Sequence, residues 1–233
     1  MPATTSPTVV LLPGMDGTGR LYDRLKEELE PGVPVQVVGY PADAPLAYDA
    51  LVDRVVAALP DGPCVLFAES FSGPIGVRVV ARGLPQVKAL ILCATFVRPP
   101  VPRGLARVGA MTAGVLPTTP PRFGVQALMT GSAPAVVRDV RHAMARVEPA
   151  VLQARIDAVA TVDVRSDLTA VGVPVTYIRA TRDRLVGTRS LQEIQALRPE
   201  LEVVELDGPH LIAQVRPLRV AEVIRDVVGR LAP

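Results

Sequence analysis

Cys64-Val65-Leu66-Phe67-Ala68-Glu69-Ser70-Phe71-Ser72-Gly73 is the stretch on which the fold turns. Its first five residues form an uninterrupted apolar run, the pattern of a strand buried on both faces. A short turn follows, and Gly73 to Gly83 then carries helical spacing. Outward from this strand-turn-helix unit the same alternation repeats. Thr8 to Leu12, Val33 to Val38 and Lys88 to Ala94 read as further buried strands, separated by helical stretches at Arg20 to Glu30 and Leu46 to Leu59. Beyond a long interruption the rhythm returns, with strands at Val173 to Ala180 and Leu201 to Leu206. Helices are expected near Ser190 to Leu197 and from Pro217 to Leu231. The expectation is an α/β fold: a mostly parallel sheet of about six strands with helices on both faces.

The interruption has no strand-like run. It holds four helical candidates, two of them opened by proline at Ala133-Pro134 and Glu148-Pro149. Residues 1–97 and 166–233 are therefore read as one core, and residues 98–165 as a helical insertion. Pro-rich stretches at 98–102 and 117–121 serve as stiff connectors.

The whole chain has 233 residues, 49% hydrophobic and 21% charged, with a formal net charge of +2. Such a length buries about 70–75% of the unfolded surface, enough for one large core without disulfides or metals. Two cysteines make no disulfide scaffold and have no metal-ligand spacing near them. Neither a signal peptide nor a membrane span is read, and the expected location is cytoplasmic. Acidic residues offset the basic ones, and aromatic residues are only 3% of the chain, so nucleic acid is not an expected partner.

In open α/β sheets ligands bind beyond the carboxyl ends of the strands, so the residues just after each run carry the information. Ser70 follows the third strand on a sharp strand-to-helix turn, the layout of a nucleophile elbow. The pattern here is A-x-S-x-S rather than G-x-S-x-G; the plain alternative is a serine near an ordinary helix N-cap. After the last two strands, Val173 to Ala180 and Leu201 to Leu206, come Thr181-Arg182-Asp183 and Asp207-Gly208-Pro209-His210. A serine hydroxyl is a poor nucleophile until an imidazole takes its proton, and a carboxylate holds that imidazole in the right tautomer. Ser70, His210 and Asp183 are the expected nucleophile, base and acid, with Asp163 and Asp207 as competing acids. After the first strand, Pro13-Gly14-Met15-Asp16-Gly17-Thr18-Gly19-Arg20 comes near a phosphate loop, but Arg20-Leu21 stand where Lys-Ser/Thr would be required. The better reading is an oxyanion hole built from the N–H groups of Met15 and Phe71.

Together, Leu-Pro-Gly-Met-Asp-Gly-Thr-Gly, Glu-Ser-Phe-Ser-Gly-Pro, Arg-Asp-Arg-Leu-Val and Gly-Pro-His-Leu resemble small bacterial serine hydrolases of the α/β-hydrolase superfamily, over nearly the whole chain. The departures are Ala68, Ser72 and Pro13, and the antiparallel strands that begin many members are not expected here. The resemblance implies a helical cap at 98–165, a Ser-His-Asp triad, an acyl-enzyme and carboxylic-ester hydrolysis, without metal or organic cofactor. Thioesterase and acyltransferase chemistry share that machinery and stay open, as does a ligand-binding homologue that has lost turnover.

Tyr22, Met111, Phe123, Met129 and Met144 are candidates for an acyl pocket under the cap, or equally for helix packing. Glu69 reads as a loop carboxylate paired with an arginine, His142 as a surface or packing residue, and Cys64 and Cys93 as buried inert thiols. The insertion holds nine arginines, no lysine and four acids, a local balance of +5. Its plain reading is a solvated face; the alternative is steering of an anionic ester or acyl substrate, or of an acidic acyl carrier.

Overall fold

The computed structural model describes residues 6–30, 32–100, 130–131 and 133–231. Their strands are β1 (Thr8–Leu12), β2 (Val35–Val37), β3 (Cys64–Glu69), β4 (Val87–Cys93), β5 (Val175–Ala180) and β6 (Glu202–Leu206). All pair in parallel, in the order β2-β1-β3-β4-β5-β6.

Alternation of side chains along each strand feeds two cores. On one face Val10 and Leu12 of β1 and Leu66 of β3 pack against α2 (Tyr48–Ala57), α3 (Gly73–Ala81), α6 (Arg165–Ala170) and α7 (Thr188–Leu197). On the other, Val9, Leu11 and Phe67 meet α1 (Asp23–Leu29), α8 (Ile212–Val215) and α9 (Pro217–Gly229). Each of these strand residues is fully buried, and such a side chain contributes about 1.5–3 kcal/mol over its exposed state. That is why both faces of β1 and β3 are apolar in sequence. β2 is shorter than the run from Val33 to Val38, because Pro34 has no N–H for the ladder and Val33 N–H donates back to Leu29 O at 3.0 Å.

Between β4 and β5 the described chain holds α4 (Pro134–Met144), α5 (Pro149–Thr161) and α6, with proline in the first turn of α4 and α5. The other helical candidates of the insertion lie outside the described residues. Among the described residues no helix is long and apolar enough to cross a membrane.

The strand order reverses between β1 and β3: the chain leaves β1 toward one edge, then crosses back to build the rest of the sheet. Loops diverge at such a point and leave a crevice beyond the carboxyl ends. The 13–19 loop after β1 and the turn after β3 border it.

Candidate active site

Ser70 sits between β3 and α3 with φ +50, in the left-handed region that L residues visit only when neighbours enforce it. The enforcing contacts are visible. Thr95, just beyond β4, donates its hydroxyl to Ser70 O at 2.5 Å, and its own N–H and C=O are both held by the Tyr177 hydroxyl. Gly73 leaves room for this: a Cβ there would stand 1.9 Å from Thr95 Oγ1.

The two departures from the glycine pattern are compensated in space. Ala68 brings a methyl group, but the residue opposite it is Gly76, where a Cβ would lie 2.7 Å from Ala68 Cβ. Ser72 brings a hydroxyl, which donates to Pro13 O and pairs with the Tyr40 hydroxyl at 2.6 Å. Fully buried and doubly bonded, Ser72 ties the elbow to the loop after β1.

Ser70 Oγ lies 2.8 Å from His210 Nε2, and His210 Nδ1 lies 2.7 Å from Asp183 Oδ2. Both the imidazole and the carboxylate are nearly excluded from water, with side-chain exposures of 3% and 4%. Asp183 Oδ1 accepts the N–H groups of Leu185 at 2.8 Å and Val186 at 2.9 Å, so its carboxylate is locked by its own turn. An ionised carboxylate only accepts hydrogen bonds; the ring therefore carries its proton on Nδ1 and presents the Nε2 lone pair to Ser70. The competing acids are occupied elsewhere. Asp207 pairs with Arg182 and Arg216, and Asp163 with Arg165, both at the surface.

The loop after β1 approaches Ser70 closely, a Cβ at Gly14 falling 3.9 Å from Ser70 Cβ. Residues 14–17 form a turn closed by Gly17 N–H on Gly14 O at 3.0 Å. Asp16 Oδ2 then accepts the N–H and hydroxyl of Thr18 at 2.9 and 2.6 Å. Met15 N–H has no acceptor among the described residues. Phe71 N–H opens the helical turn, where backbone donors have no intrahelical partner. Its ring stacks on Tyr48, centroids 4.9 Å apart, and its carbonyl accepts the Tyr48 hydroxyl at 3.1 Å.

A residue the sequence does not single out completes the arrangement. Arg155 of α5 is 2% exposed. Its Nη1 donates to Met15 O at 2.8 Å and Asp16 O at 2.9 Å, and its Nη2 to Pro41 O at 2.9 Å. The guanidinium carbon lies 5.9 Å from the Tyr40 ring centroid and 6.0 Å from that of Phe71.

Two expectations, for Tyr22 and for Glu69, need correction. Tyr22 does not line a pocket: it is 1% exposed, packs edge-on against Phe67 and donates its hydroxyl to Leu12 O at 2.8 Å. Met144 packs with Val136, Val140 and Leu211, joining α4 to the core. Met111, Phe123 and Met129 lie outside the described residues. Glu69 is no loop carboxylate; as the last residue of β3 it is 1% exposed and accepts from Gln214 Nε2 at 3.0 Å, with no arginine bonded to it among the described residues. Burial raises its pKa, opposed by the hydrogen bond from Gln214. Cys64 and Cys93 are buried free thiols; burial pushes Cys64 up to about 11 and Cys93 well above its ordinary value, which keeps both protonated. His142 borders a cleft of about 260 Å3 between α1 and α4, with Arg20, Arg24, Asp139 and Arg146, away from Ser70. Among the described residues no cluster of three or more His, Cys, Asp or Glu side chains is arranged to hold a metal ion.

Three of the six described arginines of the insertion are ion-paired. Arg98 pairs with Glu193, Arg138 with Asp139, Arg165 with Asp163, and Arg155 is buried.

Residues 9–223 match the alpha/beta hydrolase family. The chain is 29% identical to lipase LipV of Mycobacterium tuberculosis, over 95% of this chain and 93% of that one. It is 28% identical to a pimeloyl-[acyl-carrier protein] methyl ester esterase of Aeromonas hydrophila, over 96% of each. Among solved structures, the enol-lactonase of Burkholderia xenovorans superposes with a TM-score of 0.84 at 16% identity, over 98% of this chain and 94% of that one.

Proposed function

The chain belongs to the alpha/beta hydrolase family, and from that premise we propose that it hydrolyses carboxylic esters through an acyl-enzyme on Ser70. The observation that carries this reading is the unbroken chain from Ser70 Oγ to His210 Nε2 and from His210 Nδ1 to Asp183, with both inner members buried. In the proposed cycle Ser70 Oγ attacks the ester carbonyl carbon while His210 Nε2 takes its proton. Negative charge gathers on the carbonyl oxygen, which the N–H groups of Met15 and Phe71 receive; each such donor is worth about 3 kcal/mol at the transition state. Collapse breaks the bond to the alkoxide, and His210 returns the proton to it, releasing the alcohol. Water, deprotonated by the same nitrogen, then attacks the acyl carbon and frees Ser70 and a carboxylate. No step calls for a metal or an organic cofactor. Residues 98–165 act in this reading as the cap that shapes the acyl site.

Ester hydrolysis accords with relatives named lipase and methyl ester esterase. A carrier-linked acyl ester is the second reading. It draws on the relatives named for an acyl-carrier-protein ester and on Arg20, Arg141 and Arg146, which form no ion pair with a described residue. A series of p-nitrophenyl esters of increasing acyl length, run beside acyl thioesters of the same lengths, tests the reading. We expect kcat/KM for the best ester to exceed that for its thioester counterpart, with equimolar alcohol and carboxylate released. Preferential thioester cleavage would move the activity to thioester hydrolysis, and no turnover of either series would leave a binding protein on this fold.

A further inference from the structure

We propose that Arg155 is a positioning residue for the oxyanion hole: a guanidinium from α5 that holds the Met15 and Phe71 donors in place, so that seating α5 and assembling the hole are one event.

The loop bearing Met15 is tied at its two ends, Pro13 O to the Ser72 hydroxyl and Gly17 O to Tyr40 N–H at 2.7 Å, and Arg155 holds its middle. It is short and glycine-rich, and its turn exits through Gly17 at φ +66. Arg155 takes the two successive carbonyls of that turn, Met15 O and Asp16 O, and so fixes the peptide planes on the carboxyl side of Met15. With its other arm it holds Pro41 O, and its flat face covers Tyr40 and Phe71, the residue carrying the second donor. One side chain thus touches both halves of the hole. A buried cation is costly unless fully engaged, and a purely structural need for apolar filling is met more cheaply by a hydrocarbon. The local sequence makes room for the charge: a Cβ at Gly17 would stand 2.6 Å from both Nη atoms, so glycine there serves the guanidinium as well as the turn. The helix is pinned beside Pro41, in the loop after β2, Glu148 N–H donating to Ala42 O at 2.8 Å just before α5 begins.

Arg155 touches no reacting atom, so its loss is expected in the chemical step. We expect Arg155→Met to lower kcat by about 10- to 100-fold while KM moves less than threefold, since misplacing a donor by about 1 Å costs on that order. A trifluoromethyl ketone, which becomes an oxyanion on Ser70, should lose affinity in proportion to kcat/KM, whereas the product carboxylate should bind as before. Arg155→Lys keeps the charge with fewer donors and should fall between. Methylguanidinium should restore part of the rate to Arg155→Ala and none to wild type. Gly17→Ala reaches the same contact from the other side by displacing the guanidinium; it should reproduce the kcat loss and add little to Arg155→Met. It also carries the test should the Arg155 variants fail to fold. Arg138→Met, on the outer face of α4, is the control expected at the wild-type rate.

Rates are taken per fluorophosphonate-titrated site, which separates misfolding from misplacement. Wild-type kcat and ketone affinity in both Arg155→Lys and Gly17→Ala would overturn the proposal, as would a lower melting temperature with unchanged kcat per titrated site. The proposal rests on the Ser70 reading, yet the two fail differently. A wild type that turns over esters but takes no label at Ser70 refutes the Ser70 reading; a labelled wild type matched by its Arg155 variants refutes only this one.

Discussion

Replacing Ser70 by alanine is expected to remove about 10⁴- to 10⁶-fold of the ester-cleaving kcat while leaving the melting temperature unchanged. The size follows from the absence of a substitute. Ser72, two residues on, is fully buried with its hydroxyl committed to Pro13 O and Tyr40, so it cannot reach a carbonyl. The fold is spared because among the described residues Ser70 Oγ bonds only His210, and the turn is held through Ser70 O by Thr95, a bond alanine keeps. Rates are measured on a short p-nitrophenyl ester, with thermal unfolding alongside. A variant turning over near the wild-type rate with an intact fold would remove Ser70 from the mechanism.

Asp183→Asn should cost about 10⁴-fold in kcat, for a reason the geometry makes specific. Leu185 and Val186 both point N–H groups at the Oδ1 position, so the asparagine must place its oxygen there. Its amide NH2 then faces His210 Nδ1 and donates to it. The ring is forced to carry its proton on Nε2, where it meets Ser70 as a donor and cannot accept the serine proton. Asp163→Asn, which loses only a surface pair with Arg165, should change kcat by less than twofold, since exposed pairs are worth about 0–1 kcal/mol in stability and nothing in chemistry. The reverse ranking in steady-state assays would require another acid behind His210.

The sheet was legible because its central strands β1, β3 and β4 are buried on both faces, which writes them into the sequence as nearly unbroken apolar runs. Strand ends in turn pointed to Ser70, Asp183 and His210, three side chains that the structure brings into one hydrogen-bonded chain. What escaped reading is set by contacts far apart in sequence. Ala68 and Ser72 looked like flaws in a motif; their compensations, Gly76 and Pro13 O, depend on how α3 and the first loop pack. Tyr22 read equally as pocket wall or as packing, because sequence does not say which face of the sheet a helical aromatic enters. Glu69 was expected in a loop, but β3 runs one residue further than its apolar stretch and takes the carboxylate inside. Arg155 was invisible for the plainest reason: it is one of nine arginines in one stretch, and only the fold shows that this one is buried.

The most direct measurement is peptide mass spectrometry after treatment with a fluorophosphonate, whose phosphorus is attacked by a serine oxygen only where a base takes the proton and donors hold the new oxyanion. The account predicts one adduct per chain, on Ser70, formed at a rate lost in the Asp183→Asn and His210→Ala variants and accompanied by stoichiometric loss of ester turnover. An unlabelled Ser70 in protein that still cleaves esters, or a label on any other residue, would contradict it.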